Sequence, residues 1–481
     1  MSVHNTQAAW GGYPLHDIQA NILLPHGRQH VRLLFLRFPQ ANIRLEFRKW
    51  LRQFLESEDL TSAARQYEDR LTRRTYDPEH DGKLVLSLLL SRHIYEDLGL
   101  PEGRWPNDPF FRSGMGSGFS QEALRDVPSR EWEPDLAKDY HVLLILADDQ
   151  PARLALRCKA IETLSAKYTD PRSRHWETGY KLMHNGREVE HFGYRDGISQ
   201  IPFWEEGLRL RTENLPLALA AEGNGRYGSY LVYRKLEQKV ATFHEEIARI
   251  ARLTGQPVGK IGAQVFGRYK TGRPLVFDYG QAWNDQYFDY SNDPHGRICP
   301  FHAHIRKANP RDPRQFSHRH LIIRRGVAYG KRDPNLADRP DEGVGLQFLS
   351  YQASITNQFA YIQKNWLNNP HYPENRVREV PGIDPLVGRH AAPAGESDPQ
   401  KWPRSDRGQF AQLFSEVVRF RGGGYYYAPS ISFLREQAGL LTPAGPVPQQ
   451  FDSKENPDPA KYGSKNTLYV SLYAAKSWTS R

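Results

Sequence analysis

At 481 residues the chain is long enough for two or three domains and a substantial core. A hydrophobic share of 39%, a mean hydropathy of −0.70 and the absence of any run of about 18 apolar residues exclude an integral helical membrane protein. The 65 Lys and Arg exceed the 55 Asp and Glu, giving a net charge of +10 that favours anionic substrates. No zinc-finger, P-loop or RNA-recognition spacing occurs, so no nucleic-acid partner is expected. Cys158 and Cys299, the only cysteines, cannot build a disulfide framework or a cysteine zinc site. The opening segment lacks a basic-then-apolar leader and a twin-arginine pair, which predicts a cytoplasmic protein with no membrane partner.

The first predicted element is a buried strand over residues 30–38, HVRLLFLRF, between Gly27 and Pro39. Leu45, Phe47, Trp50, Leu51, Phe54 and Leu55 then recur at helical spacing over 43–57. Strand-like runs follow at 83–90 and 140–146, and a helix at about 152–168. This order predicts an α+β fold with helices on an antiparallel sheet. A stretch rich in Gly, Pro and charge at 207–226 marks a boundary, and the pattern then recurs: strand 227–233, helix 236–253, strands 320–325 and 344–351, helix 355–367. Residues 370–400 and 441–462 read as surface loops.

Several segments carry residues able to do chemistry. HFGYRDGISQIP at 191–202 sets Asp196 between Gly193 and Gly197, a backbone that either approaches a planar ligand or turns so that the carboxylate caps its own loop. CPFHAHIRKANPR at 299–311 holds His302 and His304, which share a face if the chain is extended. They suit a zinc pair lacking its third ligand, or a single imidazole on haem iron with Arg306 and Lys307 near the propionates. Arg311, Arg314, His318, Arg319, His320, Arg324 and Arg325 form the densest positive stretch, either a solvated face or a site for a cofactor carboxylate. Of Arg324 and Arg325, adjacent on a strand, at most one points into a buried site. Leu346 and Phe348 share a strand face and line either core or an apolar cavity.

These segments, with RRGVAYG at 324–330, GLQFLSYQASITNQFAYIQKNW at 345–366, RGGGYYYAPSIS at 421–432 and DIQANIL at 17–23, resemble the dye-decolorizing peroxidases, a haem-dependent family. The resemblance runs in order from about residue 17 to 434 and implies two ferredoxin-like units, 1–215 and 216–481, with haem b between them. It implies His304 as the iron ligand and Asp384, in GIDPLVGR, as the carboxylate that orients it. Asp196 is the implied distal acid/base and Arg324 the distal arginine, with Arg325 one position away, while Leu346 and Phe348 cover the distal face. Arg306 is placed among the haem-binding residues. The implied reaction cleaves hydrogen peroxide and oxidises bulky aromatic or anionic dye-like donors by one-electron steps at acidic pH, in a homodimer. Trp366 and the Tyr425–Tyr427 run are candidate electron relays. A haem-delivery protein with incidental peroxidase activity is the alternative. Ala20 replaces the family's usual Gly, and Ile201 separates Gln200 from Pro202.

Overall fold

The computed structural model describes residues 10–75, 82–205, 209–277, 287–311, 316–373, 380–390, 399–406 and 408–441. The apolar run near the N-terminus forms β1 (His30–Leu36), and the periodic segment after it forms α1 (Ile43–Ser57). Helix α1 buries Ile43, Phe47, Trp50, Leu51 and Phe54, a stripe at the spacing of one helix face. Leu45 falls on the opposite face and is 53% exposed, although its hydrophobicity alone grouped it with the stripe. β2 (Val85–Leu90), β3 (Val142–Asp148), α2 (Pro151–Ser165) and β4 (Arg174–Tyr180) complete a βαββαβ unit. Its strands lie in the order β4-β1-β3-β2, every neighbour antiparallel, which is the ferredoxin-like arrangement.

The second unit repeats that plan. β5 (Arg226–Gln238) is followed by α3 (Val240–Thr254) and α4 (Val258–Phe266), and the short α5 (His304–Ala308) comes after them. Then come β6 (Ile323–Arg324), β7 (Val327–Tyr329), β8 (Gly345–Gln352) and, after a helical segment at Phe359–Tyr361 and Ile362–Leu367, β9 (Val418–Ala428). The order is β9-β5-β8-β7, again antiparallel throughout. β6 and β7 pair with β8 in one register, Arg324 opposite Ser350 and Val327 opposite Gln347, so they are two parts of a single interrupted strand.

The two sheets join at both edges. Tyr427 of β9 pairs with Leu90 of β2, and Ala328 of β7 pairs with Tyr180 of β4, which closes eight strands into a ring. Alternate side chains therefore fall into two separate clusters. Val31, Leu33, Phe35, Leu143, Ile145, Leu231, Tyr233, Leu349 and Tyr351 form the one enclosed by the strands. Leu34, Leu36, Leu86, Leu88, Leu144, Val232 and Tyr427 form the other, packed beneath α1 and α2. Covering both faces explains why β2 and β3 are buried throughout and apolar except for Ser87 and Asp148.

Three expectations change. The strand expected to end at Tyr233 continues to Gln238, and the helix begins at Val240 rather than Leu236, because residues through Glu237 are paired on both sides, with β8 and β9. The strand expected over 320–325 is confined to Ile323–Arg324, preceded by a 3-10 turn at Phe316–His320. The helix expected from 355 begins at Phe359 and is π-helical from Ile362. Strands β4 and β9 had no clean alternation to announce them. Ala20 is fully buried with ordinary backbone, and the left-handed conformation falls on Asn21 instead (φ 69°), so position 20 does not require glycine here.

Leu143→Ala, inside the ring, is expected to cost about 2–5 kcal/mol of unfolding free energy, against less than about 0.5 kcal/mol for Leu45→Ala on the exposed face of α1. Urea titration followed by far-UV circular dichroism measures both.

Candidate active site

Asp196 sits just past a tight turn. Val189 and Arg195 form an antiparallel bridge, Gly193 takes the left-handed backbone (φ 88°), and the Asp196 N–H donates to the Glu188 carbonyl at 3.1 Å. The Asp196 carboxylate accepts its own neighbour's N–H, that of Gly197, at 2.7 Å, so part of the loop-capping alternative holds. Its Oδ1 also lies 4.0 Å from Nη1 of Arg324, and both side chains keep about a third of their surface exposed, 29% and 37%. Arg324 is steadied by its Nη2, which donates to the Ile198 carbonyl at 2.6 Å. Arg325 faces the other way, as strand alternation requires: its guanidinium is buried and donates to the carbonyls of Asn21 and Ile22. Of the two arginines, Arg324 is the one beside Asp196.

His304 begins α5, and its Nδ1 is 2.8 Å from Oδ2 of Asp384, whose side chain has no exposed surface. Burial by itself pushes the Asp384 carboxyl up, but the His304 imidazole and the amides of Val387 and Leu386 outweigh it and hold the group below the usual carboxylate range. His304 Nε2 has no hydrogen-bond partner among the described residues. His302 and His304 do not share a face, because a turn and helix replace the extended chain between them. His302 is buried against the Trp402 ring, 4.4 Å between centroids.

A small apolar cluster draws the two groups of residues together. Ile362, Trp366 and Leu367 pack with Ala308, one helical turn after His304, with Ile322, two residues before Arg324, and with Val387, whose amide caps Asp384. Leu346 and Phe348 lie on the same sheet face as Arg324, half-buried, with Ala328 and Gly326 opposite them on the neighbouring strand. Phe348 packs against Phe359, 6.1 Å between ring centroids.

Arg306 and Lys307, expected beside cofactor carboxylates, are both committed to the protein. The Arg306 guanidinium donates to Asp293 and to the Cys299 carbonyl and lies between the rings of Tyr290 and Phe301. Lys307 donates to the carbonyls of Asn369, Tyr372 and Gly382. Spacing along α5 could not reveal this, because the partners of Arg306 lie in the preceding loop and those of Lys307 more than 60 residues away. A different cationic pair stands by the Asp196 loop: Arg268 and Arg311 each donate to Ser199 Oγ, at 3.0 and 2.9 Å, and each lies over the Phe288 ring. Arg311 belongs to the dense positive stretch, whereas Arg268 has no sequence signal. Trp366 is 1% exposed and stacks parallel to the partly exposed Tyr372 at 5.3 Å, while Tyr425, Tyr426 and Tyr427 are buried.

Known proteins of one family resemble this chain. A family model described as "Dyp-type peroxidase, C-terminal" matches residues 192–380, which contain Asp196, His304 and Arg324. The multifunctional dye peroxidase DyP2 of Amycolatopsis sp. is 32% identical over 459 residues, covering 88% of this chain and 95% of that protein. Peroxidase 2 of Mycetinis scorodonius is 29% identical, covering 90% and 89%. The crystal structure of a DyP-type peroxidase from Anabaena sp. superposes with a TM-score of 0.77 at 32% identity, covering 88% of this chain and 94% of that one. The chain belongs to the dye-decolorizing peroxidase family, and it is a haem-dependent peroxidase.

Because folding lowers the Asp384 pKa, the stability it contributes is fully present above the unfolded value of about 3.9 and is lost as pH falls through the lower folded value. Asp384→Asn is therefore expected to lower Tm at pH 7, by an amount corresponding to about 1–3 kcal/mol. The gap from the native protein should close as pH falls below about 4. Thermal melts across pH 3–8 on both proteins measure the difference.

Proposed function

We propose that His304 and Asp384 on one side, and Asp196 and Arg324 on the other, hold one haem b per chain for the oxidation of dye-like aromatic donors with hydrogen peroxide. The observation that carries this reading is His304, with one nitrogen held by a wholly buried carboxylate and the other without a partner among the described residues. When Nδ1–H donates to Asp384, the lone pair is left on Nε2, the tautomer an iron ligand needs. Leu346 and Phe348 supply an apolar face beside Arg324. These residues fit the group. Haem supplies the redox chemistry, taking up the oxidising equivalents of peroxide and passing them to two one-electron donors.

The protein's part is to bind, orient and move protons. Asp384 holds the imidazole in position and fixes its tautomer. Asp196 takes the proton from one peroxide oxygen and returns it to the other, so that the distal oxygen leaves as water. The guanidinium of Arg324, anchored by the Ile198 carbonyl, stabilises negative charge as the O–O bond lengthens. Trp366, stacked on the partly exposed Tyr372, offers donors too large for the site a route for electrons, and the net charge of +10 favours sulfonated dyes. A homodimer remains part of this proposal.

His304→Ala is expected to abolish the Soret band of protein expressed with added haem, and a Soret band at full strength in that variant would overturn the ligand assignment. Asp196→Ala and Arg324→Leu should keep the band and slow the reaction with peroxide by about 10²–10⁴-fold and 10²–10³-fold, read by stopped-flow absorbance. Rates equal to the native protein's in both variants would overturn the roles given to Asp196 and Arg324.

A further inference from the structure

We propose that Glu190 is a positioning residue for Asp196, an internal strut that sets the turn from which the catalytic carboxylate projects. This rests on the reading of Asp196 as the acid/base. Glu190 is buried inside its own loop, and its carboxylate gathers three donors: the N–H of Phe192 at 2.9 Å, the N–H of Tyr194 at 2.8 Å, and the side-chain amide of Gln238. Its backbone closes the same turn, its N–H donating to the Tyr194 carbonyl at 3.0 Å and its carbonyl accepting from Gly193 at 2.9 Å. The next ladder contacts are the Val189–Arg195 bridge and the hydrogen bond from Asp196 to Glu188, so the turn that Glu190 holds fixes where Asp196 begins. Gln238 closes β5, which pairs with β8, so the strut also ties the loop to the strand bearing Leu346 and Phe348.

The choice of a carboxylate is costly. No cation pairs with Glu190 among the described residues. Burial pushes its carboxyl up to about 7, against the hydrogen bonds from Phe192, Tyr194 and Gln238, and the like charge of Asp196 pushes in the same direction. A carboxylate nevertheless has two acceptor oxygens for three converging donors, whereas glutamine would turn an NH2 group toward one of those N–H groups. That geometry is what the loop gains for the electrostatic penalty.

The test is a double-mutant cycle on the haem-loaded protein, using Glu190→Gln, Asp196→Ala and the pair. Glu190→Gln is expected to slow the peroxide step by about 10- to 100-fold while leaving the Soret band and the rate of the dye step unchanged. On the Asp196→Ala background it should change the peroxide step by less than about twofold. Hydrogen–deuterium exchange should quicken in residues 190–197 and not in β5. A full additional loss in the double variant, or equal slowing of the peroxide and dye steps, overturns positioning while leaving the role of Asp196 intact. An Asp196→Ala variant as fast as the native protein overturns the acid/base reading and this proposal with it. If Glu190→Gln does not fold, Gln238→Met removes one donor and keeps the carboxylate; the same non-additivity is expected, and its absence overturns the proposal.

Discussion

Closure of the sheet on itself is the constraint from which the rest follows. β5 is paired along its length on both sides, and the two four-stranded sheets meet at Tyr427–Leu90 and Ala328–Tyr180. Closing the ring removes two exposed edges from each sheet and encloses one face of each strand. One face fills the ring with Leu33, Phe35, Ile145 and Tyr351, and the other is covered by helices. A side chain's parity along its strand thus decides between core and site. Arg325 and Arg324, one residue apart, are separated by that rule: one donates to the backbone near Asn21, the other lies beside Asp196.

The second theme is how buried charge is satisfied. Asp384 is wholly buried yet held ionised by His304 and two backbone amides, and Arg306 is balanced by Asp293 between two aromatic rings. These partners hold α5 and the Asp384 segment in place from both ends. By contrast, Asp196 and Arg324 remain partly exposed and 4.0 Å apart. The His304 side is a closed network of matched partners, whereas Asp196 and Arg324 keep about a third of their side-chain surface exposed, a division that suits the proposed reading of a ligand held on one side and a reaction run on the other.

The amino-acid sequence by itself determined most of the local elements and supplied the candidate reactive residues. The leucine-rich runs at β1, β2 and β3 and the stripe on α1 declare themselves because solvent exclusion acts at the period of each element. The order of short motifs pointed to Asp196, His304, Arg324 and Asp384 and to the family, since each motif joins an unusual backbone to a particular side chain. Tertiary structure alone decided the extension of β5 through Glu237, where pairing on both sides overrides any helical preference, and the recruitment of β9, whose three glycines hide its strand character. It also decided which cations are spent internally. Arg306 and Lys307 read as free charge beside His304, yet Arg306 is taken up by Asp293 in the preceding loop and Lys307 by carbonyls 62 to 75 residues away; Arg268 carries no signal and nevertheless reaches Ser199. Such partners meet only in the folded chain, because a hydrogen bond depends on distance and angle in space, and neither is encoded in the spacing of residues along the chain.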